Sequence, residues 1–186
     1  MSTSVTFVGS GDSFVPGTVQ HCIPVDAPGI RFAIDFGASS LIALERLASP
    51  TIRSTAFFDA FLHGDHCGGI PFLLVDAMLL PTRDRPLTIA GPAMTTERLK
   101  SVAAAMMPGM DVMVPKFPIT YLDMAVLRPL EIGPLKVTSY PAVHTQQTNP
   151  TSWCVEVAES VDAYTGRQRV TEHMPATGGW CRSLDC

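Results

Sequence analysis

The residues of this chain best suited to chemistry are His63, Asp65 and His66, held in the run His63-Gly64-Asp65-His66 and followed by Gly68-Gly69. Two imidazoles and a carboxylate this close together offer the nitrogen and anionic oxygen donors that a divalent ion such as zinc takes. The neighbouring glycines let the backbone approach such a site closely. A polar loop with two exposed histidines would have the same composition. The surroundings favour the metal reading, because the run lies between a buried, aromatic-rich stretch and a glycine-led helix that would hold the turn rigid.

The elements that must position this run follow from periodicity. Ser4 to Val8 alternates and ends at Gly9-Ser10-Gly11, and Val19 to Val25 and Ile30 to Ile34 follow at hairpin spacing. Ser39-Ser40 precedes the apolar-periodic Leu41 to Leu47, which predicts a capped helix. Thr55 to Leu62 reads as a buried strand, Phe72 to Leu80 as a helix stopped by Pro81, and Pro86 to Ala90 as a short strand. Thr95 to Met107 is an amphipathic helix with Pro108-Gly109 behind it. Further β segments lie near Ile119 to Leu122, Leu135 to Tyr140, Trp153 to Val157 and Val161 to Tyr164. Strands that precede helices in the first half and form hairpins elsewhere predict a mixed α/β domain with helices covering sheets.

With these pieces in order, Phe57 to Pro71 (FFDAFLHGDHCGGIP) resembles the signature loop of the metallo-β-lactamase superfamily, HxHxDH followed by a glycine pair. VTFVGSGDSF (Val5 to Phe14), IDFGASSLIAL (Ile34 to Leu44), PLTIAGP (Pro86 to Pro92) and LKVTSYPAVH (Leu135 to His144) resemble other parts of that pattern. The nearest branch is that of hydrolases similar to ribonuclease Z and the arylsulfatase-like enzymes. The resemblance implies an α/β fold of the αβ/βα sandwich type and a metal-dependent hydrolase. In that family two ions activate a shared water, which attacks an ester, amide or phosphodiester centre. By position, His63 and His144 would be ligands of the first ion and Asp65 and His66 ligands of the second. Asp65 would also orient or deprotonate the water. The ions implied are zinc, manganese or iron.

Three departures lower the expected occupancy to one ion or fewer. Phe61 stands where the motif has its leading histidine. Arg167 follows Tyr164-Thr165-Gly166, where the family has a bridging aspartate. The family's last histidine ligand and its final strands and helices would lie past Cys186. The expected domain is therefore 1–166, incomplete at its C-terminal end, with 167–186 a tail of no clear period. Under one choice of codons, Arg167-Gln168-Arg169 shifted by one base would read aspartate, serine and glutamate, as from a change of reading frame. Apolar faces left uncovered by such a loss would favour self-association.

Nearby residues draw blander readings. His21 and Asp12 suit structural roles near the site, Cys67 suits helix packing, and Met106, Met107, Met110 and Met113 suit core or gap-filling positions. His173 has no motif around it.

Composition narrows the class. The chain has 186 residues and is 46% hydrophobic and 16% charged, which fits one globular domain and argues against disorder. A net charge of -4 gives no generally basic surface for nucleic acid, although RNA stays open as a substrate beside small esters and phosphodiesters. The five cysteines form no CxxC pair. No signal peptide and no apolar run of ~18 residues is seen, so a cytoplasmic chain without a membrane span is expected. Besides a hydrolase, two alternatives stay open: a vestigial domain with weak single-metal binding, and a non-catalytic interaction module.

Overall fold

The computed structural model describes residues 3–49, 54, 56–59, 62–79, 83–157, 160–164 and 182–183. A six-stranded sheet runs β1 (Ser4–Val5), β2 (Cys22–Ala27), β3 (Ile30–Phe36), β4 (Ala56–Phe58), β5 (Leu87–Gly91) and β6 (Ile119–Asp123), neighbours in that order. The first three are antiparallel, and β3 to β6 are parallel. A five-stranded sheet has the order β11 (Arg182–Ser183), β10 (Ser160–Tyr164), β9 (Thr151–Val157), β8 (Leu135–Pro141) and β7 (Pro129–Ile132). The helices are α1 (Ser40–Arg46), α2 (Gly64–Cys67), α3 (Ile70–Leu79) and α4 (Thr95–Met106).

Alternation along the strands builds two cores on opposite faces of the first sheet. Ile23, Val25, Phe32, Ile34, Ala56 and Phe58 meet Leu135, Val137, Trp153, Val155 and Val157 of the second sheet. Phe58 and Trp153 cross edge to face at 5.7 Å and join the two layers. On the other face, Ala33, Phe57 and Ile89 meet Leu44 of α1, Leu73 and Leu74 of α3, and Leu99 and Ala103 of α4. Each large side chain so buried contributes about 1.5–3 kcal/mol. The expected mixed α/β architecture of sheets packed face to face, with helices over a sheet, is the one observed.

The alternation breaks at one place. Cys22 pairs with Phe36 but Ile23 pairs with Ile34, so Asp35 is an extra residue in β3. Its φ of 57° lies in the left-handed region, which aspartate tolerates better than most residues. This β-bulge shifts the phase by one: Phe32 and Ile34 face the sheet sandwich, whereas Phe36 joins Ala33 on the helix side. Bulges re-aim side chains, and this one frees the Asp35 carboxylate for the site described below.

Three local expectations are corrected. Ser39 makes no side-chain cap to α1. Its hydroxyl instead accepts from the Gln20 amide at 2.9 Å, while Gln20 Oε1 accepts from the Ser39 amide at 3.2 Å. The run 64–67, expected as loop, closes one helical turn on the His63 carbonyl, which accepts from His66 and Cys67. The strand Pro129–Ile132 was not foreseen, because proline and glutamate weaken its β signal. Phe61, Thr165, Gly166, Arg167 and His173 lie outside the described residues, as does the tail except Arg182–Ser183, which pairs in parallel with β10.

Candidate metal centre

Ligands of open α/β sheets collect at the carboxyl ends of parallel strands, and here the ends of β3 and β4 bring the titratable residues together. Glycine lets them meet. A Cβ on Gly37 would lie 2.2 Å from the Asp65 carbonyl oxygen, and one on Gly69 would lie 2.4 Å from the Gly37 carbonyl oxygen. With hydrogen in both places, the turn carrying Asp65 and His66 packs directly on the end of β3, and the Gly69 amide donates to the Phe36 carbonyl at 2.8 Å.

His66 is 4% exposed, and its Nδ1 lies 2.7 Å from Asp35 Oδ2. That contact fixes the ring and, with the proton on Nδ1, makes Nε2 the nitrogen able to donate to an ion. Nε2 is 3.8 Å from Asp65 Oδ2. His21, 6% exposed, stacks on His66 with ring centroids 4.2 Å apart and planes 11° from parallel. One ligand atom from each of His21, Asp65 and His66 lies within 4.8 Å of the others.

The charges in this cluster divide the two histidines. Burial works against a charged His66, but the Asp35 carboxylate, through its charge and its hydrogen bond, and then Asp65 outweigh it and hold the pKa above the ordinary histidine value. Burial and then the neighbouring His66 hold His21 below that value, against the pull of Asp35, Asp65 and Asp12. His21 Nδ1 is buried with no hydrogen-bond partner among the described residues. An orphaned polar atom of this kind costs about 1–3 kcal/mol.

The second group lies at the rim. His144, exposed, meets the half-buried His63 edge to face with ring centroids 5.5 Å apart. The loop carrying His144 is tied to the α4 end of the molecule by two bonds. Arg98 donates to the Gln147 carbonyl and Asn149 Nδ2 to the Ala93 carbonyl, both at 2.7 Å.

No family model matches the chain, and no curated protein matches it. Solved structures do. It is similar to the metallo-β-lactamase fold protein YhfI from Bacillus subtilis, at 17% identity and TM-score 0.67 over 88% of this chain and 62% of that one. The short form of human tRNase Z shares 19% identity at TM-score 0.69, over 89% and 69% of the two chains. Zinc-bound PqqB from Methylobacterium extorquens shares 16% at 0.63, over 92% and 67%.

The chain has the metallo-β-lactamase fold. It spans 62% of the length of YhfI, and these identities speak to the fold alone. Within that fold, the sequence-based residues fall into two adjacent pairs. Asp65 and His66 lie in the buried cluster, and His63 and His144 lie together at the rim.

The donors fit a cation. Ligand atoms sharing one zinc ion sit about 3–4 Å apart, close to the 3.8 Å between Asp65 and His66. Asp35 behind His66 has the position of the outer carboxylate that orients a ligating histidine. His21, expected in a structural role near the site, lies inside the cluster, with a donor atom in reach of Asp65 and His66. Its only local signal was its place two residues after Val19, at the start of a strand.

The expectations for Asp12 and Cys67 are consistent with the structure, and that for the methionines holds in part. Asp12 accepts from the Phe14 and Val15 amides at 2.8 and 3.1 Å and so shapes the turn after β1. The Cys67 thiol donates to the His63 carbonyl at 3.2 Å, and the side chain packs against the helix-side core. Met110 is buried in that core and Met107 packs half-buried against it, whereas Met106 and Met113, expected at core positions too, are exposed.

Proposed function

We propose that this chain is a metal-dependent hydrolase that directs a water molecule at an ester or phosphodiester. The observation that carries the reading is that His144, remote in sequence, lies against His63 at the mouth of the turn that holds Asp65 and His66. His63, Asp65, His66 and His144 would hold the ion or ions, with zinc the best match to nitrogen and carboxylate donors and manganese or iron as alternatives. When bound, such an ion supplies Lewis acidity, polarising the electrophile and making a nearby water a stronger acid.

The chain's own residues do the rest. Asp35 keeps the His66 ring in one orientation and one tautomer. Asp65, half-buried beside it, has a carboxylate oxygen to orient the water and accept its proton. The exposed His144 and half-buried His63 form the side that a substrate meets first. The likeness in fold to human tRNase Z and zinc-bound PqqB supports this reading, and an RNA phosphodiester stays among the substrates to test.

A second reading is favoured by Phe61, which offers no donor where the family motif has a histidine: the chain binds a single ion and turns over slowly. One experiment separates the two. Zinc- or manganese-loaded protein is assayed on bis(p-nitrophenyl) phosphate and p-nitrophenyl acetate, with chelator and Asp65→Asn controls. Turnover that both controls remove supports the hydrolase. Cation binding without turnover supports the second reading, and turnover that survives both controls rejects the first.

A further inference from the structure

We propose that His21, Asp65 and His66 form a complete three-ligand site for one divalent transition-metal ion, with His21 supplying a donor that the family motif does not assign. This rests on the reading of the centre as a metal site and goes beyond it by naming the ligand set and the number of ions.

Four observations converge. The donor atoms of the three side chains lie within 4.8 Å of one another, with both histidines buried. His21 Nδ1 is sealed from water and meets no hydrogen-bond partner among the described residues, an arrangement that a coordinated ion would resolve. His66, by contrast, is already oriented by Asp35, and its ring stacks nearly parallel on that of His21, which keeps the two imidazoles together. Finally, the backbone around His21 is fixed. Its carbonyl accepts from the Gly37 amide at 2.9 Å and from the Ser40 hydroxyl at 3.4 Å, and the reciprocal Gln20–Ser39 bonds lock the preceding residue.

Two imidazoles and one carboxylate are a donor set for zinc, ferrous iron or cobalt, whereas calcium and magnesium prefer oxygen throughout. Three protein ligands also leave a position open, as catalytic rather than structural sites do. His63 and His144, at the rim, then add to an ion that three deeper donors already hold.

The test uses the full chain, with Zn2+ followed by calorimetry and Co2+ by absorption. His21→Phe keeps an aromatic ring against His66 but removes the donor, and it should raise the Kd at least ~100-fold while the circular dichroism stays unchanged. His144→Ala, at the rim, should raise the Kd by less than about tenfold. His21→Cys should give a thiolate-to-cobalt charge-transfer band in the near ultraviolet that the wild type lacks. Should His21→Phe fail to fold, that band decides: its absence from a folded, cobalt-binding His21→Cys protein overturns the proposal. Wild-type affinity in His21→Phe alongside lost binding in Asp65→Ala overturns the His21 assignment and leaves the metal reading standing. A wild-type chain that binds neither ion overturns both.

Discussion

His66 and His144 both flank the 63–66 turn, yet they are held in opposite ways. His66 is buried, hydrogen-bonded to the carboxylate of a bulged residue, and stacked on a second buried imidazole. His144 is exposed, on a loop tied through the Gln147 carbonyl, which accepts from Arg98, and through Asn149 Nδ2, which donates to the Ala93 carbonyl. A donor that is already desolvated and oriented loses little freedom when it binds an ion, whereas an exposed one must be ordered at that moment. Affinity should therefore reside in the deep cluster, while the rim pair shapes what reaches it.

Substitutions that treat the two regions alike can break this contrast. His66→Ala should raise the zinc Kd at least ~100-fold by calorimetry, against less than about tenfold for His144→Ala; equal losses would erase the distinction. Asp35→Asn keeps the shape of the residue but weakens its hold on His66, and an affinity loss of about 10–100-fold is expected. A change of under twofold would mean that the bulge serves the fold rather than the ion.

Gly37→Ala acts through packing, since its Cβ would meet the Asp65 carbonyl oxygen. The turn must retreat, with about 1–3 kcal/mol lost in denaturant unfolding and a weaker ion site as well. Full stability in this variant would show that the close approach is dispensable.

The smallest expected effect concerns Asp59, fully buried at the end of β4 with neither carboxylate oxygen partnered among the described residues. Burial and then the charge of Asp35 push its pKa well above the usual 3.8. Folding therefore favours the protonated acid: its contribution to stability is complete below pH 3.8 and is lost as pH rises through the folded value. Asp59→Asn removes that loss, so the variant should gain on the wild type as unfolding is repeated at rising pH. A difference independent of pH would show that Asp59 does not titrate in this way.

Much of this molecule was legible before its coordinates. His63, Asp65 and His66 declare themselves because their chemistry is local, packed into a few residues beside a glycine pair. His144 was found through the resemblance of the strand that delivers it, and the α/β layers through apolar periodicity. What stayed hidden depends on distant packing. Nothing near His21 reports that Gln20 will be clamped by Ser39, or that Gly37 will let a remote turn close over it. The bulge at Asp35 leaves alternation intact on paper, because its neighbours Ile34 and Phe36 are both apolar. Asp59 lies in the aromatic-rich run 55–62 with no motif to single it out, and only its burial makes it unusual.

The most direct measurement is the zinc content of the full chain after loading and removal of free metal, by plasma mass spectrometry, with Asp65→Ala measured beside it. The account predicts about one ion per wild-type chain and almost none in the variant. An empty wild type, or equal zinc in both proteins, would contradict it.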